Sequence, residues 1–507
     1  MDLVVGVDMA TAAVRALAMD GTGGVHAKAE KPLPPPTSPR PGWWEQDATV
    51  WWPAVAATLT ALAGDLGPAA ASVVAVAVCA TSGTVLLVDA NTEPSGPALT
   101  YADQRAAAEA QLAQEAAPDA WRRIGLTIQP SFGLPKWAWL LHNATADGVR
   151  LAHAPDVVVA RLISGAAPTD WSHALKSGYD PERCEWVREA MAALGIPTAA
   201  LPVVGRPTEV AGTLHPAAAR ATGLPTGCAV HLGMTDSCAS QIATGAAAPG
   251  QAASVLGTTL VLKTASRRPI GDPSGAVYSH RHPDGWWLPG GASNVGGRAL
   301  RSAFPGRDLA ELDAAAARRG PARAVTYPLV STGERFPFTE PSAEGFWLGE
   351  PEDETERYRA LLEGVAFAER LGFERLAALG AAVGPALGAG QPSTVAASGG
   401  GSASQAWNRI RAATLGVPLV AVPGASTARG ACILAAAGSL HPDLATATAA
   451  MRARGTEVDP SQEDAGALED SYQRLRRALI QRGWIANAKA DSPTDSPTNP
   501  PQNPKAD

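Results

Sequence analysis

Hydrophobic residues in this chain occur in short runs that end at small or polar residues, a pattern typical of buried strands followed by tight turns. Six runs predict strands: residues 2–7, 14–19, 73–78, 84–88, 253–256 and 260–263. The polar stretch 8–13 separates the first two runs and predicts a turn that carries an aspartate. The strand, turn, strand pattern recurs in the last two runs, which indicates an internal duplication.

Two other stretches show the spacing of an amphipathic helix. In the first, apolar residues recur every three or four positions: Trp51, Val55, Leu59 and Leu62. In the second, the same spacing extends over residues 356–379 and predicts a long helix.

A chain of 507 residues exceeds the size of one hydrophobic core and fits two domains of similar size. We place a hinge in the Ala-Ala-Pro segment at 246–249, so that residues 1–248 form one domain and residues 249–485 the other, with a central cleft between them. Residues 486–507 are rich in Ser, Thr, Pro, Asn and Asp and are predicted to form a disordered tail.

Composition and charge disfavour several classes of protein. Charged residues make up 18% of the chain and the net charge is −7, so no basic surface for nucleic acid is expected. No stretch reaches the roughly 18 uninterrupted apolar residues of a membrane span, and the apolar strand at the start lacks the basic flank of a secretory signal. The five cysteines are scattered without a Cys-x-x-Cys pair, which predicts reduced core thiols in a cytoplasmic protein.

Four short motifs rich in glycine, threonine and aspartate follow strand-like runs, in an order suited to holding ATP. They are Val5-Gly-Val-Asp-Met-Ala-Thr11, Gly233-Met-Thr-Asp236, Leu256-Gly-Thr-Thr259 and Ala397-Ser-Gly-Gly-Gly-Ser402. Phosphoryl transfer from ATP requires backbone amides around the phosphates, a carboxylate for Mg²⁺ and a base for the attacking hydroxyl. The four motifs together can supply each of these groups.

The first and third motifs suit the phosphates. Small residues beside Thr11 let backbone amides approach phosphate oxygens, and the Thr11 hydroxyl can donate a further hydrogen bond. Residues 257–259 can do the same from the second half of the chain. Asp8 is placed like a carboxylate that serves Mg²⁺, which prefers hard oxygen ligands, although an Asx-turn is an equally simple role for it.

The second and fourth motifs each have two interpretations. Asp236 is either the N-cap of a helix or a general base that accepts a proton from a sugar hydroxyl. The glycines at 399–401 either let a nucleotide approach the backbone at a helix N-terminus or form a flexible loop. No Gly-x-x-x-x-Gly-Lys-Ser/Thr motif occurs, which disfavours a Walker-type NTPase. The nine histidines are dispersed and are predicted to be surface or hydrogen-bonded core residues.

With these residues in place, the chain resembles the FGGY carbohydrate kinases from residue 3 to near residue 440. The resemblance is carried by Gly6-Val-Asp8-Met-Ala-Thr11, Gly42-Trp-Trp-Glu-Gln-Asp47, Thr81-Ser-Gly-Thr84 with Asp89, Tyr101-Ala-Asp-Gln-Arg105, Gly233-Met-Thr-Asp236, Gly257-Thr-Thr259, Gly399-Gly-Gly-Ser402 with Trp407-Asn408, and Leu415-Gly-Val-Pro418. It implies an α/β fold of two actin-like ATPase (ribonuclease H-like) domains around a central cleft. The first domain would hold the sugar and the catalytic base, and the second the nucleotide.

The resemblance also implies roles for single residues, with ATP and Mg²⁺ as cofactors. Asp236 would be the catalytic base, and Asp8 would serve the metal, the sugar and catalysis. The residues implied at the phosphates are Thr11, Gly257, Thr258 and Thr259. Those implied at the adenosine are Gly399, Gly400, Gly401, Ser402 and Asn408.

A narrower set of segments resembles the D-ribulose kinases of cyanobacteria and plant plastids, which are often labelled xylulokinase-like. They are Thr81-Ser-Gly-Thr-Val-Leu-Leu-Val-Asp89, Trp171-Ser-His-Ala-Leu-Lys-Ser-Gly-Tyr-Asp180, Tyr278-Ser-His280, Gly290-Gly-Ala-Ser-Asn294 with Gly296-Gly297, and Gly333-Glu-Arg-Phe-Pro337. The loop at 82–83 carries Arg-Glu in glycerol kinases and Met-His in bacterial xylulokinases, whereas here it is Ser82-Gly83.

This narrower resemblance implies phosphorylation of a terminal primary hydroxyl of D-ribulose, giving D-ribulose 5-phosphate. The short hydroxyl of Ser82 leaves room for a ketopentose and can hydrogen-bond it. The sugar contacts implied are Asp8, Thr81, Ser82 and Asp236. The alternatives are D-xylulose or another ketose, and the enzyme is expected to be a monomer or homodimer.

One departure from the family pattern concerns the first phosphate turn, which usually reads Asp-x-Gly-Thr-Ser. Ala10 and Ala12 replace the glycine and the serine here. If position 10 needs a positive φ, alanine costs about 1 kcal/mol of strain, and the missing serine hydroxyl removes a phosphate donor. The departure leaves open a catalytically weakened, actin-like nucleotide-binding module, although retention of Asp8, Thr11 and Asp236 favours an active enzyme.

Overall fold

The computed structural model describes residues 1–144, 148–382 and 392–486. Within these residues the chain builds two large mixed sheets and several small ones, with helices against them. The tail predicted at 486–507 lies outside the described residues, apart from residue 486.

The first half of the chain supplies one six-stranded sheet, its helices and a small four-stranded sheet. Its strands are β1 (Leu3–Ala10), β2 (Ala13–Asp20), β3 (Val25–Pro32), β4 (Glu45–Gln46), β5 (Val73–Ala80), β6 (Val85–Val88), β7 (Ala98–Leu99), β8 (Arg150–His153), β9 (Thr169–Asp170), β10 (Tyr179–Asp180), β11 (Glu185–Trp186), β12 (Val204–Gly205), β13 (Val210–Thr213) and β14 (Ala229–His231). Its helices are α1 (Trp51–Leu66), α2 (Ala107–Ala116), α3 (Pro118–Ile124), α4 (Gly133–His142), α5 (Ala154–Ile163), α6 (Trp171–Ala174), α7 (Arg188–Ala193), α8 (Pro216–Thr222) and α9 (Asp236–Thr244).

The second half supplies a seven-stranded sheet. Its strands are β15 (Ala252–Leu256), β16 (Leu260–Thr264), β17 (Tyr278–Arg281), β18 (Trp287–Ser293), β19 (Val325–Tyr327), β20 (Phe346–Leu348), β21 (Val395–Ser398), β22 (Leu419–Ala421) and β23 (Thr456–Val458), of which β19 and β20 pair separately. Its helices are α10 (Arg298–Ala303), α11 (Leu309–Ala317), α12 (Glu354–Ala382), α13 (Gln405–Leu415), α14 (Thr427–Ala436), α15 (Leu444–Met451) and α16 (Ala465–Gln481). The long helix predicted at 356–379 is confirmed as α12.

Six strands of each large sheet follow the same sequence of parallel and antiparallel neighbours, which supports the predicted duplication, although the edge strand β13 precedes its neighbour in the chain, β23 follows its neighbour, and the second sheet has a seventh strand, β17. The first runs β13-β14-β5-β1-β2-β3, and the second runs β23-β22-β21-β15-β16-β18-β17. Each sheet contains a hairpin, β1-β2 in the first and β15-β16 in the second. Two parallel strands follow on one side of the hairpin, β5 and β14 in the first sheet and β21 and β22 in the second. An antiparallel strand, β13 or β23, forms the edge on that side.

Burial explains why the central strands are so apolar. β1 is buried over nearly its whole length because helices cover both faces of the sheet there, so both sets of alternating side chains must be hydrophobic. The edge strand β3 is mostly exposed and carries His, Lys and Glu, residues that protect an open sheet edge from pairing with other chains.

The first turn is shorter than the sequence predicted. β1 and β2 pair from Leu3 with Asp20 as far as Ala10 with Ala13, so Asp8 lies inside a strand and the turn is only Thr11 and Ala12. Ala10 is not among the described non-glycine residues with a positive φ. The condition for backbone strain at Ala10, a positive φ, is therefore not met, because strand pairing continues through this residue.

Helix α14 joins the two halves of the molecule. It comes from the second half of the chain but packs on β1, β5 and α9 of the first half. A buried cluster contains residues of both halves, among them Val4, Met234 and Ala431. The backbones touch, since a Cβ on Gly6 would lie 2.1 Å from the carbonyl oxygen of Ala428.

Among the described residues, one helical stretch, Ala48–Ser72, is apolar and long enough to cross a membrane by length and composition alone. Here its apolar face, including Val55 and Leu59, belongs to the core beneath the first sheet. All five cysteines are free, but Cys184 is exposed and is not the core thiol that the sequence predicted.

Candidate active site

Three parallel strands of the first sheet end at one edge and bring the two predicted catalytic aspartates there. Asp8 on β1 lies opposite Cys79 on β5, and Ala80 at the end of β5 is bridged to Thr235 beyond β14. Asp236 is the next residue. Because adjacent parallel strands present their carboxyl ends at the same edge, this is where a ligand site is expected in such a sheet.

Asp236 occupies the first position of helix α9. The N-cap is Thr235, so the interpretation of Asp236 as the N-cap itself is wrong. Its Oδ1 accepts a 2.6 Å hydrogen bond from the Ser237 amide. The turn into the helix depends on Gly233, which has φ +75° and whose added Cβ would lie 2.0 Å from the carbonyl oxygen of Val78.

The electrostatic surroundings of Asp236 are balanced between burial and positive charge. Burial raises its pKa above the ordinary range, and the Ser237 amide, His173, Lys176 and Lys263 all oppose that rise. A carboxylate whose pKa is raised by burial while nearby cations oppose the rise suits a general base.

Asp8 is the second buried carboxyl group at this edge, and its pKa is also raised. The residue is only 6% exposed, and its Oδ1 has no hydrogen-bond partner among the described residues. Its Oδ2 lies 3.7 Å from Arg15 Nη1. Burial and then the charge of Asp236 raise its pKa to about 7, against the influence of Arg15. A buried carboxylate oxygen without a partner is costly, so this oxygen fits a bound cation or a sugar hydroxyl.

Mg²⁺ commonly binds through one or two carboxylates together with waters and substrate phosphates. No group of three or more His, Cys, Asp or Glu side chains in the described part of the chain could hold a metal ion alone. The residues present therefore do not fit a metal centre that the protein holds alone. They fit Mg²⁺ that binds together with a nucleotide and is also held by Asp8 Oδ1.

The high pKa of Asp8 predicts a pH-dependent cost to stability. Because the folded pKa of about 7 exceeds the ordinary value, folding favours the protonated form. That stabilising contribution is fully present below about pH 4 and is lost as the pH rises through 7. Asp8→Asn, which stays neutral, is expected to melt several degrees above the parent protein at pH 8 without ligands. The difference should narrow toward pH 4, and a pH-independent difference in a melting series would contradict this account.

The loop after β5 carries the two residues predicted to contact the sugar. The Thr81 amide donates to the carbonyl oxygen of Met9 at 3.3 Å, which ties the loop to β1. Lys136 Nζ donates to the carbonyl oxygen of Gly83 at 2.5 Å. Ser82 Oγ is buried without a partner among the described residues, so its hydroxyl is available to a ligand.

The turn at Thr11, predicted to face the phosphates, is supported by a residue to which the sequence analysis assigned no role of its own. Gln46 Nε2 donates to the carbonyl oxygens of Thr11 at 2.9 Å and Pro34 at 3.1 Å. Gln46 belongs to the Gly42-Trp-Trp-Glu-Gln-Asp47 segment, and its side chain fixes the turn from behind.

On the second sheet, the loops predicted to hold the nucleotide lie side by side. β15 and β21 are parallel neighbours, so residues 257–259 and 399–402 emerge together. A Cβ on Gly399, which has φ +81°, would lie 2.6 Å from the carbonyl oxygen of Leu256, and one on Gly401 would lie 2.5 Å from Leu256 Cδ2. A Cβ on Gly400 would meet nothing within 4 Å, so this glycine faces open space.

Three polar residues predicted at the nucleotide have partners in the protein. Ser402 Oγ donates to the carbonyl oxygen of Gly399 at 2.7 Å, and Asn408 Nδ2 donates to that of Ser402 at 2.8 Å. Arg301 Nη2 donates to Thr258 Oγ1 at 3.0 Å. In this arrangement Ser402 and Asn408 shape the loop, and its backbone is the surface offered to a ligand.

Sequence reasoning missed a polar cluster where the two halves meet beside Asp236. Lys176 Nζ lies 4.9 Å from the ring centre of Tyr278, and Lys263 Nζ donates to Cys238 Sγ at 3.4 Å. His280 is 2% exposed, and neither ring nitrogen has a partner among the described residues, so the prediction for the histidines is wrong at this position. Burial, with the charges of the two lysines, lowers the pKa of His280 well below its ordinary value.

A signal for this cluster was present in the sequence. Lys176 lies within Trp171-Ser-His-Ala-Leu-Lys-Ser-Gly-Tyr-Asp180, and His280 ends Tyr278-Ser-His280, two segments of the narrower resemblance. Neither segment contains a recognisable catalytic motif, so only the folded structure shows that they meet.

Comparisons with known proteins agree with this geometry. Residues 3–243 match the N-terminal domain of the FGGY family of carbohydrate kinases, and residues 252–439 match its C-terminal domain. The xylulose kinase of Klebsiella pneumoniae is 28% identical over 376 residues, covering 72% of this chain and 77% of that protein. The glycerol kinase of Gloeobacter violaceus is 28% identical over 506 residues, covering 95% and 97%.

Solved structures show the same architecture. The crystal structure of xylulose kinase from Rhodospirillum rubrum matches with a TM-score of 0.83 and 27% identity, covering 95% of this chain and 99% of that one. The predicted fold class, two actin-like ATPase domains of α/β type, is confirmed.

Proposed function

The chain belongs to the FGGY family of carbohydrate kinases, and from this premise we propose that it phosphorylates a terminal primary hydroxyl of D-ribulose, giving D-ribulose 5-phosphate. The observation that carries the proposal is the edge of the first sheet, where Asp236 and two buried oxygens with no hydrogen-bond partner among the described residues, Asp8 Oδ1 and Ser82 Oγ, lie at or just beyond the ends of neighbouring parallel strands. A sugar bound there would find a base, a carboxylate and a hydroxyl together.

Asp236 acts as the general base. When the sugar hydroxyl attacks, a carboxylate oxygen of Asp236 takes up its proton, and the cations around Asp236 favour its ionised form against the effect of burial. The Ser237 amide fixes Oδ1 and so orients the side chain. Asp8 and Ser82 orient the sugar by hydrogen bonds.

ATP supplies the phosphoryl group, and the chain offers two surfaces for it. The turn at Thr11, held by Gln46, presents backbone amides and a hydroxyl to the phosphates. The adjacent loops 257–259 and 399–402 of the second sheet would hold the rest of the nucleotide, with Gly400 open to it. Asp8 would hold Mg²⁺ through its free oxygen, because the ion prefers carboxylate ligands and accompanies the phosphates.

A second candidate substrate is D-xylulose. Several of the similar proteins carry the name xylulose kinase, which favours it. The Ser82-Gly83 loop favours D-ribulose, since it differs from the Met-His of bacterial xylulokinases. The weakened-module alternative loses support from the relaxed backbone at Ala10, although Ala12 still lacks the serine hydroxyl. We further propose that the enzyme works in the cytoplasm, as a monomer or homodimer.

A coupled assay of ADP release with Mg·ATP tests the proposal. The panel contains D-ribulose, L-ribulose, D-xylulose, D-fructose, sedoheptulose and glycerol, with a control that lacks sugar. We expect the highest kcat/KM with D-ribulose. A preference for D-xylulose would keep the mechanism and correct the substrate, whereas ADP release at the level of the control with all six compounds would reject ketose phosphorylation.

A further inference from the structure

A buried polar network lies directly behind Asp236, and the mechanism above uses only the positive charge of one of its members, His173. It starts at Asp170, whose Oδ1 accepts from the amide of Ser172 at 2.8 Å and from its hydroxyl at 2.5 Å. Ser172 Oγ in turn accepts from the Thr235 amide at 2.9 Å. Thr235 immediately precedes Asp236, so this chain of bonds fixes the backbone that carries the base.

His173 is the second arm of the same network. The ring is fully buried, its Nδ1 is hydrogen-bonded to Asp170 Oδ2, and its Nε2 lies 3.3 Å from the carbonyl oxygen of Ala80. A carbonyl oxygen only accepts, and an ionised carboxylate only accepts, so both ring nitrogens must donate. An imidazole that donates from both nitrogens is an imidazolium cation.

The charges around this pair support that state. Burial opposes a charge on His173, but Asp170 overcomes it and raises the pKa of His173, with smaller help from Asp156 and Asp236. His153, whose ring centre is 5.8 Å away, is bound to Asp156 at 3.2 Å from its Nδ1. The other titratable groups that face His173 or Asp236 from neighbouring elements are Asp8, Cys79, Lys176, Lys263 and His280.

We propose that His173 is a positioning residue for the reaction: Asp170 holds it as a buried cation behind Asp236, where it keeps the catalytic carboxylate ionised while Ser172 holds its backbone in place. This role rests on the proposed function of Asp236 as the base. Among the charged groups that act on Asp236, His173 is the strongest, ahead of Lys176 and Lys263. It is also sealed from solvent, so its influence is weakly screened by salt.

The first test is the pH dependence of kcat/KM, measured with the ketose that the panel shows to be best. Removing the positive charge of His173 should raise the pKa of Asp236. The acidic limb of the kcat/KM profile, where activity falls as Asp236 becomes protonated, should then move to higher pH. For His173→Gln we expect the limb to move by about one unit, with a tenfold loss on the acidic side and near-parental activity above the limb. Because Asp8 and Asp236 interact, the midpoint belongs to the pair and is compared only between variants.

Two further variants separate charge from structure. Asp170→Asn keeps the histidine but removes its counterion, and should move the limb in the same direction. Ser172→Ala removes the bond to Thr235 without changing any charge, and should lower kcat at every pH while leaving the limb in place. Equal losses at all pH values for all three variants would overturn the proposal in favour of a purely structural role.

The protonation state of His173 can also be measured directly, without any assay of activity. This measurement still tests the proposal if a variant folds poorly or if the substrate is not the one proposed. In the parent protein labelled with ¹⁵N-histidine, two protected ring N–H signals are expected for one residue at pH 8, and both should be absent from His173→Gln. A single protonated ring nitrogen on His173 would refute the proposal. Loss of the panel activity alone, with the imidazolium present, would count against the proposed substrate and not against His173.

Discussion

Replacing Asp236 by asparagine is expected to lower kcat by about three orders of magnitude, since a positioned general base contributes about 10²- to 10⁴-fold. Asparagine has the same shape, and its Oδ1 can still accept from the Ser237 amide that now bonds the carboxylate at 2.6 Å. The helix start should therefore survive. What is lost is the ability to take up a proton from the sugar hydroxyl as the phosphoryl group transfers.

Two measurements separate that loss from misfolding. Nucleotide affinity, determined by calorimetry with ADP, should stay close to that of the parent enzyme because the loops proposed to hold the nucleotide, 257–259 and 399–402, follow strands of the other sheet. Asp89→Asn is the matched control, since Asp89 is a turn residue of the same half that accepts from the amides of Asn91 and Glu93. The kcat of the Asp89→Asn variant should equal that of the parent enzyme. An Asp236→Asn enzyme with kcat within threefold of the parent would remove Asp236 from the mechanism.

The sequence predicted the motifs of this site, but the residue pattern did not predict that they lie close together in the fold. Asp8 and Asp236 are recognisable because each follows an apolar run and precedes small residues. Their proximity depends on β5 lying between β1 and β14, and strand order is set by packing between segments that are far apart in the chain. The family resemblance supplied that adjacency, whereas the residue pattern alone did not.

The differences between the predicted and the observed structure have one physical cause. Tertiary contacts determine turn lengths and hydrogen-bond partners that a local sequence pattern does not specify. The turn at Thr11 shortened because β2 pairs with β1 as far as Ala10, and this pairing also removed the expected strain. His173 and His280 are both buried histidines in segments without a recognisable catalytic motif. Both ring nitrogens of His173 face acceptors, whereas those of His280 have no partner among the described residues, a difference that only the fold creates.

Helix α14 is a further case in which contacts between distant segments cannot be read from the local sequence, and these contacts are the basis of the second prediction. The sequence analysis made no prediction for this segment, and only the fold shows that its backbone touches the helix that carries Asp236. A Cβ on Gly430 would lie 2.0 Å from the carbonyl oxygen of Ala239 on α9. The Thr427 hydroxyl and Ser240 Oγ are 3.0 Å apart across the same contact, so α14 and α9 are held together near the base.

Gly430→Ala is therefore expected to destabilise the protein, although alanine normally stabilises a helix by about 1 kcal/mol relative to glycine. The added methyl group cannot fit without separating α14 from α9, and forced overpacking of this kind costs about 3 kcal/mol. We expect a fall of about 5–10 °C in melting temperature. Because α9 would move with Asp236, kcat should also fall by about tenfold, as displacement of a reacting group by even a fraction of an ångström slows the reaction.

Gly64→Ala provides the matched control, because Gly64 lies in helix α1 and a Cβ there would meet nothing within 4 Å. This variant should gain up to about 1 kcal/mol from helix propensity alone and keep the parental kcat. Melting curves and kcat for the two variants, compared side by side, separate the intrinsic effect of alanine from the effect of the contact. A Gly430→Ala protein as stable as Gly64→Ala would mean that α14 and α9 are not in backbone contact, and that the position of Asp236 does not depend on the second half of the chain.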